Sequence, residues 1–348
     1  MFRIMILFVA FSAFLSFSVI AEKVYPIILI HGFQSHQLQS QPNAKQVELD
    51  GAAYWSGVWK EKAAARIDWP SHQRVQGKIS TDYVWPKLRK FSREGLCDAG
   101  CILVTHSTGD LIARYILENQ RNWLKNAGMT PLNIVATVDF AGAGGGTELA
   151  DIAINVANGG GLTNEAMRYA MSLWLGMPPS EKTLGVLNDL RVANARQLAP
   201  LPEARVPRLR FVGDANDFWN ATAMFLPGHD DGVVAAHSAC GALNAGNFSS
   251  CSTAMEFSGR KAPVSQGVAH FMAYHYPVAM GAEYSHSATI NRQFKGALGS
   301  VQRSQMFKNG YLLKIVTDKE SNWLGQEYEY MRGSQRASMS MVALELLR

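Results

Sequence analysis

The sequence of 348 residues has little charge, few cysteines and few long apolar runs. Charged residues make up 18% of the chain, and the net charge of +5 is scattered without a basic run or an aromatic-basic stripe, which argues against nucleic-acid binding. No segment after residue 20 is apolar over the roughly 20 residues that a membrane span requires. No internal repeat is visible, which disfavours a solenoid or a propeller. The hydrophobic content of 47% can nevertheless form one large core or two modest ones.

The first residues have the features of a targeting segment. Arg3 precedes an apolar run over residues 4–20, and Val19 and Ala21 are small residues just before Glu22. This pattern predicts a signal peptide over residues 1–21 that is cleaved after Ala21, with the rest of the chain secreted or periplasmic. The alternative is an uncleaved membrane anchor, because the run is just long enough to cross a bilayer.

The four cysteines form two local pairs in the sequence, Cys97 with Cys101 and Cys240 with Cys251. In an exported chain, disulfides within these pairs are the simplest of the three connectivities. Zinc is a poor alternative because the spacings do not repeat and no histidine pair lies nearby. We therefore predict no metal and no cofactor.

Apolar, β-rich runs alternate with helix-like segments along the chain, at residues 24–33, 101–107, 132–142 and 207–214. This alternation predicts an α/β domain over residues 22–348, with a mainly parallel sheet and helices on both faces. Residues 147–200 interrupt the rhythm between two strands. We interpret them as a cap or lid over the carboxyl edge of the sheet, with ordinary packing helices as the alternative. Residues 308–348 contain β-like runs, "GYLLKIVTD" and "ASMSMVALELL", and form an extension with no assigned role.

A candidate nucleophile lies in "ILVTHSTGDLIARYIL", residues 102–117. Ser107 follows an apolar strand and precedes an amphipathic helix, as in a nucleophile elbow, where the serine occupies a sharp strand-to-helix turn. Gly109 supplies the small residue two positions downstream, whereas Thr105 stands where such turns usually carry glycine. The alternative is that Ser107 only caps a helix.

An oxyanion hole for acyl transfer needs two backbone N–H groups directed at one oxygen. Thr108, directly after the nucleophile, would supply one. The loop after the first strand, in "IILIHGF", would supply the other from Phe33, because Gly32 permits an unusual backbone conformation. His31 in this loop is interpreted as an organiser of the loop by hydrogen bonds.

The segments "YPIILIHGF", "LVTHSTGDLIARY", "VDFAGAGGGTELAD" and "HDDGVV" occur in the order found in secreted bacterial lipases of the α/β-hydrolase superfamily. The chain resembles these enzymes over roughly residues 24–294. The resemblance implies an α/β-hydrolase fold and a Ser-His-Asp triad. Ala143-Gly144 replaces the usual Pro-His, and Asp110 stands where many relatives have a second glycine. These departures bear on the substrate more than on the reaction.

The triad acid is expected to follow a strand and to orient the histidine. "HDDGVV" is similar to the lipase segment in which the aspartate before glycine is the acid, which indicates Asp231. Asp217 is the second candidate, because it occupies the acid position of many other α/β-hydrolases. Asp230 is weaker, and Asp214 is interpreted as a turn former.

The base must follow the acid in the sequence. We assign His286, which lies in a turn before a helix-like segment, with His275 second. His270 and His275 lie in an apolar, strand-like stretch, and His237 is too close to Asp231. Lipases of this type often bind calcium near the histidine loop, but Ser287 replaces the expected aspartate, so no calcium is predicted.

Together these residues predict a secreted serine hydrolase of lipid or other apolar acyl esters. Its partners would be an ester substrate and, transiently, a lipid interface; the oligomeric state stays open. A phospholipase or polyester depolymerase and a non-catalytic hydrolase-fold binding protein are the alternatives. A dinucleotide-binding oxidoreductase is disfavoured, because Gly142 and Gly144 match only half of the fingerprint and Thr147 takes its third glycine position.

Overall fold

The computed structural model describes residues 25–55, 57–160, 165–180, 184–198, 206–269 and 271–348. The predicted signal peptide and His270 lie outside these ranges. The centre of the molecule is a six-stranded sheet in the order β2-β1-β3-β4-β5-β6, in which every neighbouring pair is parallel. The strands are β1 (Ile27–Ile30), β2 (Ala65–Ile67), β3 (Cys101–His106), β4 (Ile134–Phe140), β5 (Arg208–Gly213) and β6 (His275–Gly281).

Helices pack against both faces of this sheet. Alternate residues of β1 point to opposite sides, so that Ile28 and Ile30 join one apolar core while Ile27 and Leu29 join the other. The prediction of an α/β-hydrolase architecture, a mainly parallel sheet covered on two faces, is confirmed in these features. The helices before the cap region are α1 (His36–Ser40), α2 (Ala44–Tyr54), α3 (Val58–Lys62), α4 (Trp85–Arg93) and α5 (Gly109–Asn126), with a π-helical segment at Val75–Val84.

The region predicted as a cap is a helical insertion between β4 and β5. It contains α6 (Glu148–Ala157), α7 (Glu165–Leu175), α8 (Leu187–Leu190) and α9 (Val192–Leu198). Thr147 caps α6 by accepting a hydrogen bond from the Leu149 amide. Met171 and Leu175 of α7 are buried in the main core, so much of this helix is a packing element.

The C-terminal part is more than an extension. Four short strands form two antiparallel hairpins, β7 (Ser304–Met306) with β8 (Leu312–Lys314) and β9 (Thr317–Ser321) with β10 (Glu327–Met331). The run "ASMSMVALELL", expected to be β-like, is instead a helix, α11 (Met339–Leu346). Its apolar residues complete the second core beneath the sheet, which explains the helix: Met339, Val342, Ala343 and Leu344 are buried there. A short helix, α10 (Ala236–Ala239), precedes β6.

Both predicted local disulfides are present, between Cys97 and Cys101 and between Cys240 and Cys251. Among the described residues, no helix has the length and apolar character needed to cross a membrane.

Candidate active site

Ser107 occupies the turn between β3 and α5 in a strained backbone conformation. Its φ is +55°, in the left-handed region that non-glycine residues rarely adopt. The turn is held because the Ser107 amide donates to the Phe140 carbonyl (3.0 Å) and the Ser107 carbonyl accepts from the Ala143 amide (2.9 Å). This is the geometry predicted for a nucleophile elbow, and strain of this kind clusters at functional sites.

Thr105 fits where glycine was expected because its side chain points across the sheet. The Thr105 hydroxyl donates to Asp139 Oδ1 on the neighbouring strand β4 at 2.6 Å. The Thr105 hydroxyl is therefore paired with β4. The close approach of α5 to the sheet depends instead on Gly109, since a Cβ there would collide with the backbone of Ile30 and lie 2.8 Å from the His31 carbonyl oxygen.

His286 and Asp231 form a buried pair. His286 Nδ1 donates to Asp231 Oδ2 at 2.9 Å, and the His286 amide donates to the Asp231 carbonyl at 2.8 Å. The other carboxylate oxygen, Asp231 Oδ1, accepts from the amides of Val233 (3.0 Å) and Val234 (2.8 Å). Asp231 is fully buried, so these bonds fix its carboxylate and, through it, the tautomer of the imidazole.

The pKa of His286 lies above its ordinary value. Burial lowers this pKa, but the charge and hydrogen bond of Asp231, together with the charge of Asp217, outweigh the burial. Protonation of the imidazole is thereby favoured, as a base that must receive a proton from a hydroxyl requires.

Asp217, the second candidate for the acid, contacts the loop that carries His286, here called the histidine loop, through the residues on either side of His286. It accepts hydrogen bonds from the Ser287 amide and hydroxyl, both at 2.8 Å, and from the Ser285 hydroxyl. Asp217 therefore holds the residues on either side of His286 while Asp231 contacts the imidazole itself. This arrangement favours Asp231 as the triad acid and a positioning role for Asp217.

Ser107 and His286 open into one cavity of about 220 Å³. Within the described part of the chain, no hydrogen bond joins the two side chains; catalytic hydrogen bonds are often long in unliganded sites. The cavity is also lined by Phe33 and Thr108, and neither residue's amide donates to any acceptor among the described residues. Two unpaired amides beside the nucleophile are what an oxyanion hole requires. The remaining wall is mostly apolar: Ala143, Trp174, Leu190, Phe218, Val233 and Val234.

The loop that carries Phe33 is held in place by His31. His31 is fully buried and stacks on Trp69, with ring centroids 5.0 Å apart. Its Nδ1 donates to the Gly32 carbonyl at 2.8 Å, and its Nε2 accepts from the Trp69 amide at 3.1 Å. Burial lowers the pKa of His31, which keeps it neutral in this role.

Tyr54 and His106 are site residues that the sequence analysis missed. Both line the cavity, and the Tyr54 hydroxyl donates to His106 Nδ1 and lies against Gly32, where it would collide with a Cβ on that residue. His106 Nε2 in turn donates to the carbonyl oxygen of His286 at 3.0 Å. The pKa of His106 is well below its ordinary value, because of burial and then the charge of His286, so His106 stays neutral. Two hydrogen bonds therefore connect Tyr54, which packs against the loop that carries Phe33, to the loop that carries His286.

Asp110 explains the unusual residue after the elbow. Its Oδ2 accepts from the Gly144 amide at 2.8 Å and from Arg210 Nη1 at 2.5 Å, and Oδ1 accepts from Arg208. All three side chains are buried. Asp110 thus fixes the glycine-rich loop after β4, whose residue Ala143 lines the cavity.

The other residues weighed in the sequence lie away from the cavity lining. His275 is fully buried, and burial is the main cause of its low pKa. The charges of Arg210 and Arg208 lower this pKa further. His237 Nε2 contacts Glu148 at 2.6 Å, Asp214 pairs with His229 at 2.7 Å, and Asp230 accepts from the Gly232 amide at 2.7 Å. In the described ranges, no group of three or more His, Cys, Asp or Glu side chains is arranged to hold a metal ion.

Comparisons with known proteins find remote similarity to some solved structures. No family model and no curated protein matches the chain. Among solved structures, a lipase of Bacillus licheniformis, BlEst2, is 16% identical over 77% of this chain and 86% of its own, with a TM-score of 0.41. The lipase of Staphylococcus hyicus is 13% identical over 76% and 88%, with a TM-score of 0.41. Phospholipase PlaB of Legionella pneumophila is 18% identical over 62% and 45%, with a TM-score of 0.38.

Proposed function

We propose that the chain is a serine hydrolase of carboxylic esters, with Ser107 as nucleophile, His286 as base and Asp231 as acid. The supporting observation is the buried His286–Asp231 hydrogen bond beside a cavity into which Ser107 is presented at positive φ. The lining of one cavity by Ser107 and His286, and the unpaired amides of Phe33 and Thr108 beside Ser107, further support this proposal.

The mechanism has two steps. In the first, Ser107 Oγ attacks the ester carbonyl while His286 Nε2 takes its proton, and the oxyanion accepts hydrogen bonds from Phe33 and Thr108. The imidazolium then donates its proton to the leaving alcohol, which leaves an acyl-enzyme on Ser107. In the second step, His286 activates a water molecule that releases the acid and restores the serine.

The cavity wall supports an apolar acyl group as the substrate class. Its volume of about 220 Å³ is below the range of about 300–1,000 Å³ that is usual for drug-sized ligands. Short acyl chains fit the structure as it stands. A longer chain requires Trp174 of α7 to move, whose ring lies 5.7 Å from that of Phe33. Met171, Trp174 and Leu175 of α7 all pack in the core, and of the three only Trp174 also lines the cavity.

The apolar N-terminal segment and the two disulfides support export of the enzyme to a secreted or periplasmic location. A lipid ester is then a natural substrate outside the cell. Hydrolysis of phospholipid or polyester is a variant of the same chemistry, which the substrate series below distinguishes.

The test is hydrolysis of p-nitrophenyl esters of increasing acyl length, with and without an emulsified lipid, together with fluorophosphonate labelling. We expect labelling at Ser107, and Ser107→Ala should reduce kcat by at least about a thousandfold. Ser265→Ala is the matched control, because Ser265 also precedes a glycine by two residues yet lies outside the cavity. Folded protein that hydrolyses no ester, or activity that survives in Ser107→Ala, would overturn the proposal; specific ester binding without turnover would point to a binding protein.

A further inference from the structure

The β9–β10 hairpin ends in a tip that has no place in the proposed reaction. The connecting loop runs from Asn322 to Gln326 and carries Trp323 and Leu324 at its apex. Trp323 is 91% exposed and Leu324 is 60% exposed, which is an unusual arrangement for two adjacent large apolar residues.

The loop is built as a rigid turn independently of these two side chains. The Asn322 amide donates to the Gln326 carbonyl (3.1 Å), and the Gly325 amide donates to the Asn322 carbonyl (3.0 Å). Asn322 Oδ1 accepts from the amides of Leu324 and Gln326, both at 3.0 Å. Gly325 has a φ of +74°, which the turn requires of a glycine. The loop therefore needs neither apolar side chain to hold its shape.

These features indicate that the exposed tip of the β9–β10 hairpin contacts a lipid surface. The amides of Asn322, Leu324, Gly325 and Gln326 bond within the loop, and among the loop residues only that of Trp323 has no acceptor in the described part of the chain. Such a loop can enter an apolar medium at a lower cost than one whose amides are mostly open. Tryptophan prefers the boundary between water and lipid, where its ring is apolar and its N–H reaches water. A stable protein interface buries about 1,200–2,000 Å², which two side chains on a narrow tip cannot supply.

The charge around the tip indicates which lipid. Residues 321–326 carry no charge, and the flanking exposed charges are Glu320 and Glu327. Lys261 lies 3.7 Å from Glu327 and offsets it. Within the described strands β9 and β10, Lys319 is the one basic residue, and a single lysine beside Glu320 is not a cluster that would attract anionic headgroups.

We propose that Trp323 and Leu324 insert into electrically neutral lipid surfaces and anchor the protein there weakly and reversibly. This surface is separate from the catalytic cavity and does not depend on the proposed hydrolysis.

The test is sedimentation of the protein with vesicles of ether-linked phosphatidylcholine, which contain no ester to cleave. The wild type should bind, and Trp323→Ala combined with Leu324→Ser should lower the partition coefficient at least about tenfold. Met306→Ser combined with Leu312→Ser is the matched control, because these exposed apolar residues belong to the other hairpin. The control should stay within about twofold of the wild type, since its residues are remote from the tip. All variants carry the same N-terminus, so that any effect of the apolar leader cancels, and circular dichroism checks their folding.

Two further readouts identify the contact. Brominated lipid should quench wild-type tryptophan fluorescence more strongly than that of Trp323→Phe. Binding should change little between about 0.05 and about 0.5 M salt, because apolar insertion is not screened. Equal vesicle binding by the tip variant, no binding by the wild type, a strong salt dependence, or self-association that the tip variant abolishes would each overturn the proposal.

Discussion

Replacement of Asp231 by asparagine tests the proposed triad most directly. The two amides of Val233 and Val234 donate to one oxygen of this carboxylate, and His286 Nδ1 donates to the other. In Asp231→Asn the amides fix the carbamoyl oxygen on their side, because the NH₂ group cannot accept from them. The NH₂ group then faces His286.

The consequence for the imidazole is a change of tautomer. Nδ1 of His286 must become the acceptor, so the proton moves to Nε2, which can no longer accept the Ser107 proton. A catalytic histidine held in the wrong tautomer reduces kcat by about 10⁴-fold. This corresponds to a rise of about 5.5 kcal/mol in the activation free energy, at about 1.36 kcal/mol per factor of ten. The fold should survive, because the backbone bonds to residue 231 and the size of the side chain are retained.

Asp217→Asn is the comparison, measured with a soluble short ester across pH. The asparagine oxygen can still accept from the Ser287 amide, and its NH₂ group can donate to the two serine hydroxyls, which can also act as acceptors. We therefore expect less than about a tenfold loss in kcat/KM. Removal of the Asp217 charge should lower the pKa of His286, because that charge helps to raise it. Activity requires the neutral imidazole, so the acid limb of the pH profile should move to lower pH. A thousandfold loss in Asp217→Asn, with Asp231→Asn close to wild type, would reverse the assignment of the acid.

Two further substitutions test the surroundings of the triad. Tyr54→Phe leaves His106 Nδ1 buried without its donor, at a cost of about 1–3 kcal/mol. We expect kcat for a soluble ester to fall about 5- to 160-fold with a smaller change in KM. Tyr115→Phe, in α5 and outside the cavity lining, should leave kcat unchanged, and equal effects of the two substitutions would contradict a positioning role for Tyr54. Asp110→Asn should lower the free energy of unfolding by about 3 kcal/mol at neutral pH in urea titrations. Burial raises the pKa of Asp110, but the nearby arginines outweigh burial and hold this pKa down to about 2. The difference in unfolding free energy between wild type and Asp110→Asn should therefore be complete above pH 3.8 and shrink as the pH falls towards 2. A difference that does not change with pH would contradict the charge pairing.

The sequence predicted the parts of the molecule that depend on local pattern. Apolar runs bounded by turns indicated β1, β3, β4 and β5, and the strand-turn-helix order indicated Ser107. The error at α11 has a physical cause. "ASMSMVALELL" is rich in apolar residues at every spacing, because the helix is buried on most sides, and such a run does not distinguish a helix from a strand.

Residues that act through distant contacts could not be found in this way. Tyr54 lies 52 residues from His106, and Asp110 lies 98 residues from Arg208. Neither has a motif of its own, and only the fold brings the partners together. The one available signal was Asp110, a charged residue at the start of an apolar helix, where a small residue is usual. A buried charge requires a partner, so this aspartate indicated a distant basic residue.

The polar side chains around the cavity constrain one another. The His286 imidazole is oriented by Asp231, its backbone carbonyl by His106, and its flanking residues by Asp217. His106 in turn depends on Tyr54, which also contacts Gly32 of the oxyanion loop. A Cβ on residue 32 would lie 2.7 Å from Ser107 Cβ, so nucleophile and loop are already in the closest contact that the chain allows. A shift of the histidine loop must therefore disturb the oxyanion loop as well, because the buried donors between them would lose their acceptors. It follows that the proposed base and the proposed oxyanion hole are positioned as one unit, and that substitutions of Tyr54 and His106 should be strongly non-additive in a double-mutant cycle.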